Sequence, residues 1–188
     1  MVSPITRRQL MIAAGGFGIG GVIGRTPIGV CDDSTKIVVS PEGAIARLKQ
    51  GNQRFADGKP KHMHTSRERR ESLVSGQDPC AVILSCADSR VPTELVFDQG
   101  LGDLFVIRNA GNVMVEDVMG SVEYAALHLQ TQLVVIMGHE GCGAVTAALK
   151  SREERAKEPP ELQQVLRLID PAVEHLYPRS QEAVQKGV

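Results

Sequence analysis

The chain has no tryptophan, and only two tyrosines and four phenylalanines among its 188 residues. So few flat rings leave little on which a base or a sugar could stack, and aliphatic side chains must fill the core. Neither sign of charge dominates: 21 Lys and Arg stand against 22 Asp and Glu, for a formal net charge of -1. Binding to a phosphate backbone draws on clustered cations, so nucleic acid is not an expected partner and a small or neutral substrate fits better. The apolar run from Ile12 to Gly24 is roughly 13 residues, short of the ~20 that span a bilayer, and its glycines weaken it further. No stable membrane anchor is expected.

The segment in front of that run, Thr6-Arg7-Arg8-Gln9-Leu10-Met11, resembles a twin-arginine export signal. Residues 1–30 are therefore set apart as a signal or disordered segment, and the folded domain is expected over 36–188. A periplasmic or secreted location follows. The alternative is a cytoplasmic protein whose disordered N-terminus happens to hold two arginines. Cys31 follows Ile28-Gly29-Val30, without the small residue that a lipidation signal prefers before its cysteine, so lipidation is not expected.

Two short apolar runs break in matching ways. Ala81-Val82-Ile83-Leu84-Ser85 leads into Cys86-Ala87-Asp88-Ser89-Arg90, and Leu133-Val134-Val135-Ile136-Met137 leads into Gly138-His139-Glu140-Gly141-Cys142. Continuous apolar runs suit strands buried on both faces of a parallel sheet, and open α/β sheets hold their ligands beyond the carboxyl ends of such strands. Cys86, His139 and Cys142 thus come to one place. Two thiols and an imidazole form a three-ligand set for zinc, and three protein donors with a fourth position open is the catalytic arrangement. In an exported protein a Cys86–Cys142 disulfide is the competing reading. The spacing favours metal, because a histidine three residues before Cys142 has no part in a disulfide. Cys80 is expected to pack as a small hydrophobe.

Around these runs the pattern predicts a helix from Pro41 to Asp57 behind a Ser40 N-cap, and a charged helix over Arg67 to Val74. A short helix near Pro92 to Phe97 precedes a second strand, Leu104 to Ile107. A helix from Glu116 to Gln130 is expected to bury Met119, Val122, Ala126 and Leu129. After the third strand, Ala144 to Leu149 should form a short helix, and Leu162, Val165, Leu166 and Ile169 the face of another that Pro171 stops or kinks. His62 and His64 read as solvated loop residues, and His128 and His175 as structural or surface groups. Alternating strands and helices predict an α/β fold, a central mostly parallel sheet flanked by helices. Only three strands are convincing.

Asp88 and Arg90 stand two and four residues beyond Cys86, so a carboxylate and a guanidinium can pair beside the metal. Arg90 would hold Asp88 ionised, and Asp88 could then accept a hydrogen bond from a zinc-bound hydroxide and aim it. Alternatively Asp88 takes the fourth zinc position itself, which would switch the site off. Away from Cys86, a D-x-R of this kind would be an ordinary loop salt bridge.

With the dyad in place, three blocks in order resemble the β-class carbonic anhydrases: Cys86-Ala87-Asp88-Ser89-Arg90-Val91-Pro92, then the stretch from Phe97 through Arg108-Asn109-Ala110-Gly111-Asn112, then Gly138-His139-Glu140-Gly141-Cys142-Gly143-Ala144. The resemblance runs from about Pro41 to Ile169. It implies reversible hydration of carbon dioxide to bicarbonate, with Cys86, His139 and Cys142 as zinc ligands and Asp88 and Arg90 as the catalytic dyad. It also implies a homodimer or an assembly of dimers. Some members carry a regulatory bicarbonate site with a Trp where this chain has Ile83, although Arg108 matches its Arg, so that site is not expected. Gln99 stands one place from the family's substrate-orienting Gln and is read as a support for its turn. Nothing after Ile169 has the apolar run to supply the family's last strands, so the sheet is expected to be unfinished. Two further readings use the same ligands: a zinc hydrolase acting on carbonyl sulfide or carbon disulfide, and an inactive zinc-binding assembly subunit.

Overall fold

The computed structural model describes residues 39–174. The export-signal segment, Cys31 and His175 lie outside the described residues. Three parallel strands, β1 (Ala81–Cys86), β2 (Leu104–Asn109) and β3 (Val134–Met137), form one sheet in the order β2-β1-β3. The central strand is buried at every position. Its register sets Cys86 opposite Asn109 on β2, and Ser85 opposite Met137 on β3. The carboxyl ends of the three strands therefore finish level.

β3 departs from the expectation of a strand buried on both faces. Val135 and Met137 pack against the core, but Val134 and Ile136 on the other face are 45% and 53% exposed. An apolar run looks the same at the edge of a sheet as at its centre, and among the described residues β3 is an edge strand.

Helix α1 (Pro41–Ala56) starts where the Ser40 hydroxyl accepts from the Gly43 N–H at 3.2 Å, with Pro41 in the first turn. It buries Ala44 and Leu48 against Cys80, Ala81, Ile83 and Leu104, so Cys80 packs in the core as expected. The charged helix is shorter than predicted, α2 (Arg67–Ser72), and α3 is a single turn (Thr93–Val96). Helix α4 (Glu116–His128) is turned about its axis relative to the expectation: it buries Val118 and Ala125, and leaves Met119 47% exposed. Tyr124 of α4 tilts over Phe105 of β2 with ring centroids 6.2 Å apart, and His128 lies against Tyr124 at the surface.

After β3 come α5 (Gly143–Ala148), a one-turn α6 (Arg152–Arg155) and α7 (Pro160–Glu174). Pro171 does not stop α7. The helix continues to Glu174, forgoing the hydrogen bond that a residue at 171 would have donated to the Arg167 carbonyl. Leu166, Ile169 and Val173 pack with Ala148 in a second cluster, and Arg155 pairs with Asp170 beside it.

Two buried carboxylates tie the loops to α1 at the far end of the sheet from the strand-end cysteines. Asp98 takes Arg54 Nε at 2.5 Å and the N–H groups of Lys61 and His62 at 3.0–3.1 Å. Asp103 takes Arg47 at 2.8 Å, His64 Nδ1 at 2.8 Å and the Gly100 N–H at 2.8 Å. The expectation that His64 is merely solvated is corrected: its ring is half exposed, but one nitrogen is held by a buried acid. Gln99 donates to the carbonyls of Phe97 and Asp98 and so supports its own turn, as expected.

Candidate metal centre

Cys86 is the last residue of β1, and the chain then leaves the sheet. His139 and Cys142 sit on the turn between β3 and α5, where Gly141 has φ of 62°, a left-handed conformation that glycine adopts without a Cβ penalty. That turn folds His139 and Cys142 back toward β1. One donor atom from each of Cys86, His139 and Cys142 lies within 4.8 Å of the others, a group that could hold a metal ion. The two sulfurs are 3.9 Å apart, and both cysteines are free and buried. A disulfide needs sulfurs about 2.05 Å apart, so the competing reading is not the geometry found.

The histidine is set for coordination. Nδ1 lies 3.0 Å from its neighbour's carbonyl, Glu140 O, so that nitrogen carries the proton and donates. Nε2 is left buried with no hydrogen-bond partner. An unpaired buried nitrogen is costly unless something fills its lone pair, and one ring nitrogen of His139 lies within 4.8 Å of both sulfurs.

Asp88 and Arg90 stand beside this group. Oδ1 of Asp88 accepts from the Arg90 N–H and Nε, each at 2.9 Å, and Oδ2 accepts from Nη2 at 2.7 Å. Arg90 Nη2 also donates to the Gly141 carbonyl at 3.1 Å, linking this turn to the one that carries His139 and Cys142. Asp88 Oδ2 is 3.9 Å from His139 Nε2, and both its oxygens are engaged by Arg90.

The electrostatics follow from these contacts. The Arg90 side chain and N–H hold the Asp88 carboxyl well below the usual carboxylate range. Burial pushes the Cys86 thiol up, but the N–H groups of Gly111 and Asp88, with His139 and Cys142, outweigh it and bring the thiol down to about 7. His139 is pushed up by the Cys86 sulfur, against burial and with help from the Glu140 carbonyl. Negative charge on the Cys86 sulfur and positive charge on the His139 ring thus favour one another.

The sequence placed all five residues together, but the contacts that two further residues make with them escaped it. Gly111 turns its N–H to the Cys86 sulfur from a single 3-10 turn, Ala110–Asn112, in which Gly111 has φ of 75°. A Cβ there would come within 2.6 Å of Ile169, so α7 packs directly on this turn. The Gly111-Asn112 pair was the available signal, since such residues tolerate positive φ. Arg108 is the second: it donates to the carbonyls of Cys86 and Asp88. Ile83, in the same stretch of β1, is fully buried.

Comparison with known proteins agrees with this geometry. A family model described as carbonic anhydrase matches residues 81–187. Carbonic anhydrase 2 of Mycobacterium tuberculosis is 53% identical over 110 residues, 58% of this chain and 53% of that protein. The chain thus spans about half the length of the curated relatives it matches. Among solved structures, the β-carbonic anhydrase CcaA superposes with a TM-score of 0.52 at 32% identity, covering 70% of this chain and 65% of that one. The β-carbonic anhydrase CafA of Aspergillus fumigatus gives 0.55 at 28% identity, over 75% and 64%. The sheet, the strand-end donors and these matches together show that the chain belongs to the β-class carbonic anhydrase family.

Proposed function

We propose that this protein is a zinc enzyme that hydrates carbon dioxide reversibly to bicarbonate. The observation that carries the reading is a cysteine–histidine–cysteine group within 4.8 Å, its buried imidazole nitrogen unpaired, beside a carboxylate gripped by an arginine. The donors fit zinc in kind and in spacing. Two sulfurs each ~2.3 Å from one tetrahedral centre lie about 3.8 Å apart, close to the 3.9 Å between Cys86 and Cys142. When bound, zinc supplies the Lewis acidity that brings the pKa of a water in its open position to about 7.

The chain's own residues do the rest. Cys86, His139 and Cys142 hold the ion, and the Glu140 carbonyl keeps His139 in the tautomer that presents Nε2. Asp88, kept ionised by Arg90, accepts a hydrogen bond from the attacking water and aims its lone pair. One carbon–oxygen bond forms, carbon dioxide and water become bicarbonate, and one proton leaves to solvent. In this reading Asp88 is an orienting acceptor rather than a fourth ligand: Arg90 holds both its oxygens, and each keeps a second lone pair for a hydrogen bond from the water. Export through the Arg7-Arg8 segment belongs to the same reading. So does a homodimer or assembly of dimers, supported by the apolar side chains left open at Val134 and Ile136.

The test is stopped-flow carbon dioxide hydration by the full zinc-loaded chain, with zinc measured on the same samples. We expect Asp88→Ala to keep zinc and lose about 100-fold or more in turnover, the scale of an oriented proton acceptor. Hydration no faster than buffer in a zinc-bound parent would sink the reading, as would full activity in Asp88→Ala.

A further inference from the structure

We propose that Arg108 is a positioning residue for this site, whose guanidinium sets the Asp88 carboxylate relative to the three donors by fixing the main chain of the turn between them. The proposal rests on the function proposed above, in which the placement of Asp88 matters.

The β1–β2 ladder ends at the pair Cys86 and Asn109, with one last bond from the Ala87 N–H to the Asn109 carbonyl at 3.0 Å. Beyond that point β1 has left the sheet, and no strand is in register to bind its carbonyls. Arg108 takes over with its side chain. Nε donates to the Cys86 carbonyl at 2.9 Å and Nη2 to the Asp88 carbonyl at 2.6 Å. One rigid, planar group therefore fixes two carbonyls two residues apart, one on the residue whose sulfur is a donor and one on the residue whose carboxylate orients the water. A lysine ammonium has the charge but not the fork.

The contact continues across the site. With its main chain held, Asp88 presents its carboxylate to Arg90, and Arg90 Nη2 reaches the Gly141 carbonyl beside Cys142. The ends of β1 and β2 and the turn after β3 are joined in this order through two arginines. The hydrogen bonds of Arg108 go to main-chain carbonyls, not to the Cys86 sulfur or the Asp88 carboxylate. Its effect on the reaction must therefore pass through the geometry of the turn.

The test uses Arg108→Lys and Arg108→Gln in the full zinc-loaded chain, each alone and combined with Asp88→Ala. Zinc content, kcat and KM for carbon dioxide hydration, and amide hydrogen exchange over residues 87–91 are measured. We expect zinc to stay near one per chain and exchange at 87–91 to rise about five- to tenfold while α1 is unchanged, the effect of one hydrogen bond lost. We expect kcat to fall about 10- to 100-fold with KM nearly constant, and this loss to vanish in the Asp88→Ala background, because the two residues act as one unit. Unchanged exchange at 87–91 would overturn the proposal. So would loss of zinc, or the same fractional loss of kcat with and without Asp88. If the parent chain holds zinc but does not hydrate carbon dioxide, the proposed function fails, and the exchange at 87–91 alone then decides the role of Arg108.

Discussion

Two glycines in helix interiors should respond with opposite sign to the same substitution. At Gly51 in α1, a Cβ would stand 1.7 Å from the Phe97 carbonyl oxygen and 2.7 Å from its carbon, both main-chain atoms. At Gly120 in α4, a Cβ would meet nothing within 4 Å. Alanine at Gly120 should stabilise by about 1 kcal/mol, the propensity difference between the two residues. Alanine at Gly51 has the same gain but must push α1 away from the 96–100 segment. The retreat would break the bond from Asn52 Nδ2 to the Val96 carbonyl, now 3.1 Å, and stretch the Arg54–Asp98 pair. Overpacking costs about 1–3 kcal/mol and a lost hydrogen bond about 1, so the net effect should be a destabilisation of roughly 1–3 kcal/mol. In thermal unfolding followed by far-ultraviolet circular dichroism, Gly120→Ala should raise Tm by about 2–4 °C, and Gly51→Ala should lower it by about 2–12 °C. If Gly51→Ala is as stable as Gly120→Ala, α1 does not pack against Phe97 as described.

The buried acid Asp98 makes stability depend on pH in a defined direction. Burial pushes its pKa up, but the Lys61 N–H, Arg54 and the His62 N–H outweigh that and hold it at about 2. The folded value lies below the unfolded one of about 3.9, so the contribution is present above pH ~4 and is lost as pH falls toward 2. Denaturant midpoints measured from pH 5 to 2.5 should fall, and Asp98→Asn should flatten that fall; an equal slope in the variant would refute the assignment. In the second cluster, Leu166 is 1% exposed, so Leu166→Ala should cost about 2–5 kcal/mol in chemical denaturation. A cost under about 1 kcal/mol would mean that α5 and α7 do not pack around it.

Much of the site was legible because its donors stand where apolar runs break. Cys86 ends one strand and His139 follows another, both of a length and composition that leave few alternatives, and Asp88 and Arg90 are local to the turn after Cys86. What the sequence hid depends on contacts between distant segments. Helix α4 carries apolar residues on several sides, among them Val118, Met119, Tyr124 and Leu127, so its periodicity did not choose the buried face, and Val118 with Ala125 won it. The exposure of Val134 and Ile136 reflects a face of β3 that the helices leave uncovered, which no apolar run states. His64 bonds Asp103 across 39 residues, and Arg108 reaches Asp88 across 20. Each pair consists of ordinary polar residues until the fold brings them together.

Cys86, His139 and Cys142 are proposed as the donors to one metal ion, and X-ray absorption at the zinc edge reads that ligand set. The loaded chain should show two sulfur neighbours at about 2.3 Å with nitrogen or oxygen at about 2.0–2.1 Å, and Cys142→Ser should keep at most one sulfur. A shell without sulfur, or one that Cys142→Ser leaves unchanged, would rule this ligand set out.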